Sequence, residues 1–431
     1  MQVMTADAEA PPNQPPVKAF PGFALMFSVS LPAIPSAVDL DAALGMAGVT
    51  PFSSQQLLNY RHLRDETEAH VLGRAFMDAG RLTHSAIGRI AFTRSASDPQ
   101  GPTVADVHLF THVAGVALWE VWLPGQLQDF NAERWTAWLD DQKSNSLPMQ
   151  VWQALQPLNL ALGGESAYRQ YLPCSVVRLP TQLLAALTAR QSADIVRLLW
   201  CDRSARRLKP DVVDAELARD FCARGGGITL LGRRAALDIH GCEDESALAD
   251  VESGLPPRSA VPFLVTLELL LIERAVLLQL YERLSQRTPA SIEALLEFKQ
   301  QISSGLEEYY GATMAATRFG DQIAEAGERL FGIIDLYDAL MDRLETVSFA
   351  LTTRYQQQMT QMQFWMTVVF GATEIGFIAA SIATWHYRTE LGAVLAWTLG
   401  AAVVSAGVLV AMLSQRMESD EVKPVRCVRL P

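Results

Sequence analysis

The stretch FWMTVVFGATEIGFIAASIATWH, residues 364–386, decides how the chain is read. About 20 apolar helical residues cross a bilayer core. Residues 364–384 supply that length around a single acid, Glu374. An ionised carboxylate at bilayer depth costs roughly 2.5–3.5 kcal/mol on insertion scales, so an acid kept there needs a reason. Downstream, LGAVLAWTLGAAVVSAGVLVAML, residues 391–413, is long enough for a second span and carries no charge. Only WHYRTE, residues 385–390, separates the two, which predicts a tight helical hairpin. Trp385, Tyr387 and Trp397 suit the membrane interface. The tail, 414–431, carries Arg416, Lys423, Arg426 and Arg429, against Arg388 alone in the link. The positive-inside rule then puts both termini in the cytoplasm, as expected of a multi-pass protein of the inner (cytoplasmic) membrane.

Working outward, residues 258–363 read as a helical stalk. One helix is predicted over 261–286, after Pro257. A second starts near Ser291 and runs towards Tyr310. A third runs from about Asp321 into the first span, with no Pro and few Gly. Its apolar rows are Ile323, Leu330, Tyr337, Leu344, Leu351 and Ala326, Ile333, Leu340, Val347. Such heptads predict helices side by side, within the chain or between subunits.

Residues 22–257 read as a mixed α/β domain, cytoplasmic by the charge rule. A helix is expected over 54–78. A hairpin is expected across ADVHLFTHVAGVALWEVWLPG, 105–125, with Gly115 near the turn. Strands are expected at CSVVRLP, 174–180, and DIVRLLW, 194–200, with helices over 181–190 and 212–223. A second hairpin fits GITLLGRRAALDIHG, 227–241. The Pro-rich start, 1–21, lacks the basic head and apolar core of a secretory signal and reads as a disordered leader. The fold class is therefore an α/β cytoplasmic domain followed by long stalk helices and a two-helix transmembrane hairpin.

The net charge of −12 argues against nucleic acid as a partner, because phosphate binding needs clustered Lys and Arg. Five cysteines, an odd number with no CxxC pair, speak against a disulfide framework or a zinc site. No Walker motif, GxGxxG or nucleophile elbow occurs. The glycines 225–227 read as a turn and the RSARR run, 203–207, as a solvated loop. The acid pairs Glu243–Asp244 and Glu307–Glu308 read as solvated faces. Neither an enzyme nor a bound cofactor is expected.

Projected on a helix, Thr346, Thr353, Thr360, Thr367, Glu374 and Ser381 recur every seven residues. In a left-handed parallel bundle they make one continuous polar row. Repeated hydroxyls with one carboxylate ring suit a cation path. A second stripe, Ala372, Gly376, Ala379, Ala380 and Ala383, is small and allows close helix approach. The structural alternative is a Glu374 paired inside a packed bundle. One chain has two spans, too few to enclose a pore, so transport requires a homo-oligomer in the lipid bilayer.

This layout resembles the CorA superfamily of divalent-cation channels. It shares a cytoplasmic α/β domain, a stalk helix entering the first span, a short outer link, a second span and a basic tail. FIA, residues 377–379, is similar to a run late in the family's first span, and TEL, 389–391, to its PEL. The resemblance implies a homopentamer whose pore is lined by the first span, with Mg²⁺ or another divalent metal cation as the transported ion. The family's Gly-Met-Asn signature is absent. Aligning on FIA puts Ala383, Thr384 and Trp385 there, and an indole N–H cannot coordinate a cation. That register aims Thr373, Gly376 and Ala380 at the pore, whereas the polar row aims Thr367, Glu374 and Ser381. His386 and Glu390 belong to the outer link in either case. The missing signature leaves a second reading open: a membrane-anchored signalling or defence effector on a CorA-like scaffold, with a ligand-binding cytoplasmic domain and no selective Mg²⁺ transport.

Overall fold

The computed structural model describes residues 17–31, 34–47, 49–71, 82–92, 103–140, 146–202, 208–222, 226–242, 256–286, 289, 291–311, 318–386 and 391–420. The chain divides into two compact units. One is Met1–Thr288 with Leu296–Arg343, the other Pro289–Leu295 with Leu344–Pro431.

The first unit is built on strand β1 (Lys18–Ser30), whose interior is buried on both faces. It pairs antiparallel with β4 (Val116–Leu123) on one side and with β6 (Gln170–Pro180) on the other. Beyond β4 lie β3 (Val104–His112) and β2 (Leu82–Ala91). Beyond β6 lie β8 (Ala236–Cys242), its parallel neighbour, and β7 (Gly227–Leu231). The order is β2-β3-β4-β1-β6-β8-β7, and the short β5 (Gln128–Asp129) pairs with the start of β1. Both expected hairpins form. The β3–β4 turn has Gly115 at φ +85°, a left-handed conformation that glycine adopts without strain.

One sheet face is apolar. Phe23, Phe27, Val107, Trp119, Val121 and Ile239 share a core with helices α3 (Ala132–Leu139), α4 (Leu147–Ala161) and α5 (Thr181–Trp200). Trp135 and Trp138 meet Phe23 edge-on at 5.9 Å. Trp119 Nε1 donates to Asn159 Oδ1 at 2.9 Å, and Asn159 Nδ2 donates to the Glu165 carbonyl. Both residues are fully buried. Asn159→Leu strands the indole N–H and that carbonyl, so it should cost the full-length protein about 1–3 kcal/mol. A lowered urea midpoint measures this; an unchanged midpoint contradicts it.

The alternate side chains form a second buried face that mixes apolar and polar groups. It carries His108 and Phe110 of β3, Glu120 of β4, Arg178 of β6 and Asp238 of β8. Helix α7 (Val261–Gln286) contacts β1 and β4. It is buried almost all round, Glu268 and Glu273 included. Helices α1 (Ala37–Ala47), α2 (Ser54–Val71) and α6 (Pro210–Leu217) complete the helices that precede α7 among the described residues.

Four expectations need correction. The sheet starts at Lys18, inside the stretch read as leader, because β1 is its central strand. DIVRLLW is helical: α5 continues through it with one kink at Gln191. Ile195, Leu198 and Leu199 bury at helical spacing against the apolar sheet face, which overrides the β-branched composition. The third stalk helix is interrupted. After α8 (Ile292–Gly311), α9 (Arg318–Leu330) stops at Phe331–Gly332, and α10 (Ile333–His386) begins anew. Gly332 sits at φ +66°, the left-handed stop that only a glycine adopts cheaply. Helix α6 is also shorter than expected, ending at Leu217.

In the second unit, α10 continues unbroken to His386, and α11 (Leu391–Asp420) follows. Both helices are long and apolar enough to cross a membrane, and in the single chain both segments are mostly exposed. Gly371 lies against Leu409, and Gly376 against Ala402 and Thr398, so the two helices pack as a hairpin.

Candidate functional site

The site starts from what α11 covers on α10. Val368, Gly376 and Ala383 are buried, and Ala372 and Ala379 are partly buried. This is the small-residue stripe, which lets the two backbones approach. A Cβ on Gly376 would stand 3.4 Å from the Ala402 Cβ. Glu374 lies two residues from Gly376, about 200° round the helix at 3.6 residues per turn. It is exposed, as are Thr367 and Ser381 one heptad either side. The polar row is therefore one face of the first membrane-length segment, turned away from the second.

The structure thus separates the two candidate sets. Thr367, Glu374 and Ser381 stand together on the uncovered face. Gly376 faces α11 and cannot be open at the same time. Thr373, Ala380 and Thr384 flank the row; Thr373 and Thr384 are exposed and Ala380 is partly covered. His386 ends α10 and is exposed. Glu390, like the Thr389 beside it, lies outside the described residues.

The hydroxyls have a definite orientation. Thr360 donates to the Gln356 carbonyl at 2.8 Å, and Thr367 to Gln363 at 2.9 Å. Thr373 donates to Val369 at 2.7 Å, Ser381 to Phe377 at 2.9 Å and Thr384 to Ala380 at 2.6 Å. Each spends its one proton on its own helix, which leaves only oxygen lone pairs to face outward. Such a row can accept from a donor or face a cation. Among the described residues no group of three or more His, Cys, Asp and Glu is placed to hold a metal ion. A carboxylate ring at Glu374 can come only from further copies of the chain.

The second sheet face holds a constellation that sequence reasoning missed. Arg64 of α2 is 3% exposed and meets three carboxyl groups. Its Nε donates to Glu68 at 2.5 Å, and its Nη1 to Glu120 at 3.3 Å and Glu268 at 3.2 Å. Its Nη2 also binds Glu268. The guanidinium lies 4.2 Å from the Phe110 ring centroid. His84 stacks on Phe110, and its Nε2 is 3.4 Å from His108 Nδ1. Burial pushes the Glu268 pKa well above the ordinary 4.5, partly offset by Arg64, and raises Glu68 less. Burial, reinforced by the Arg64 charge, holds His84 and His108 well below 6.5. Nearby, Arg178 pairs with Asp238 at 2.9 Å, while Thr229 and His240 bind the other carboxylate oxygen. No local pattern announces these networks, because Arg64 and Glu268 are 204 positions apart.

Comparison with protein-family models, with curated proteins and with solved structures gives no significant match. The functional reading therefore rests on the geometry of the chain itself.

Proposed function

We propose that this chain forms a CorA-like homo-oligomeric channel for metal cations, divalent by resemblance, with the path running along the Thr367–Glu374–Ser381 face of the first span. The observation that carries the reading is the exposed Glu374 at the middle of a membrane-length helix, opposite the face that α11 covers. Copies packed around this face would bring the carboxylates and hydroxyl oxygens onto one axis and remove the cost of an acid in lipid. Residues 354–363 of α10 support the same arrangement. They are exposed on every side within the chain, Tyr355, Met359 and Met362 included. Parallel copies of α10 would cover those apolar side chains. The protein would sit in the inner membrane with both termini cytoplasmic.

The oligomer is the first test. Native mass spectrometry of the detergent-purified full chain should give a pentamer. A monomer or dimer contradicts a channel, since so few spans cannot surround a path. The signature position favours a second reading. Ala383 has only a methyl group and Trp385 only an indole N–H donor, so of the three residues there Thr384 alone offers an oxygen at the outer end of the segment. An anchored effector without selective Mg²⁺ transport would then use the soluble unit to bind its ligand.

A further inference from the structure

Where α9 ends and α10 begins, the first unit has an open cleft of about 690 Å³. Its walls include Arg233 from the β7–β8 turn, Arg274, Leu278 and Tyr281 from α7, and Asp335 and Leu336 from the first turn of α10. Arg274 is half-buried, and its Nε donates to the Phe331 carbonyl at 2.8 Å. That bond fixes the guanidinium and leaves its other N–H groups available. Among the described residues, no carboxylate forms an ion pair with Arg274 or Arg233. Burial and the neighbouring Arg233 charge both lower the Arg274 pKa, so two like charges share the cleft. Arg233 is exposed and Arg274 half-buried, so both guanidinium groups are open to a ligand, with Asp335 as the carboxylate among the lining residues. The first turn of α10 adds the partial positive charge of a helix N-terminus. The remaining wall, Leu278, Leu330, Leu336 and Tyr281, is apolar or aromatic, and the volume is that of a small-molecule site.

We propose that this cleft binds a small phosphate-bearing anion with a flat or apolar body, its phosphate held by Arg233 and Arg274 and its body against Tyr281 and Leu336. Guanidinium forks match phosphate oxygens in pairs. Asp335 at the rim opposes the anion and so limits affinity. The bound ligand would tie the β7–β8 turn and α7 to the first turn of α10, the helix that runs on into the first membrane-length segment. The site does not depend on whether the spans conduct.

The test is calorimetric titration of the full-length protein in detergent with AMP, and separately with inorganic phosphate. Nanodiscs of phosphatidylglycerol, against phosphatidylcholine, form the third arm. AMP should bind. Arg233→Gln should weaken it at least about tenfold, or about 1.4 kcal/mol, with the ligand-free thermal midpoint unchanged. Asp335→Asn should tighten it. Arg274→Gln should also lose binding, but it breaks the Phe331 contact, so Arg233→Gln is the decisive variant. Phosphate binding without AMP preference, if lost in Arg233→Gln, keeps the anion site and removes the flat body. Binding to phosphatidylglycerol alone, again lost in Arg233→Gln, assigns the phosphate to a lipid headgroup. No binding in any arm, or binding that Arg233→Gln leaves intact, overturns the proposal.

Discussion

Replacing Arg64 by Met is expected to destabilise the protein by about 3–5 kcal/mol at neutral pH, the cost of leaving buried charge without its partner. Arg64 is the hub of three carboxyl groups, each less than a tenth exposed. Methionine keeps the length of the stem and its contact with Phe110 but leaves Glu68, Glu120 and Glu268 facing one another. The loss should shrink in acid. With Arg64 gone, one charge that suppresses protonation of His84 and His108 is removed, and those imidazoles can replace it. The native protein has its own pH signature here. A glutamate whose folded pKa is raised stabilises fully below the unfolded value, near 4.5, and that stability is lost as pH rises through the folded value. Glu268→Gln should therefore flatten stability against pH above about 4.5. Histidines with lowered folded pKa act in the opposite sense: their contribution is full above 6.5 and fades as pH falls. Urea midpoints of the parent and both variants from pH 5 to about pH 8 measure these effects. A loss in Arg64→Met under about 1 kcal/mol, or one that grows in acid, would mean the cluster is solvated rather than buried.

Much of the fold was legible because its signals are local. The two hairpins show period-two alternation with glycine at a turn. Helix α7 was bounded to the residue, since Pro257 precedes it and its apolar run ends at Gln286. What failed to show was non-local. Strand β1 is buried on both faces, so it has no alternation to read. In α5 the run Ile195–Val196 is β-branched, and only the apolar sheet beneath makes it helical. A single glycine after Phe331 broke a heptad pattern that otherwise continued: Leu340, Leu344, Val347 and Leu351 are buried as that pattern requires. In the first membrane-length segment, the seven-residue polar row was readable and is a real face of α10. The family alignment placed Gly376 in a pore, but packing against Ala402 uses that face for the hairpin.

The expected effect at Glu374 is the larger one for function. The acid sits midway along the first membrane-length segment on the face left open by α11, between hydroxyls that donate to their own helix. In an oligomer a ring of carboxylates there would be the strongest electrostatic feature of a cation path. Glu374→Gln keeps size and hydrogen bonding and removes only the charge. It should lower cation flux by roughly tenfold or more, equivalent to about 1.4 kcal/mol in the barrier, or change the order of ions admitted. Gly376→Leu, by contrast, should disrupt the hairpin itself.

The measurement that tests this most directly is cation uptake into liposomes holding the purified full-length protein, beside its Glu374→Gln variant, with Mg²⁺, Co²⁺, Zn²⁺ and Na⁺ in parallel. A cation path along the Thr367–Glu374–Ser381 face predicts flux in the parent that is lost, or altered in selectivity, in the variant. Equal flux in both would return Glu374 to a packing role, and no flux with any ion would contradict the channel and leave the membrane-anchored effector.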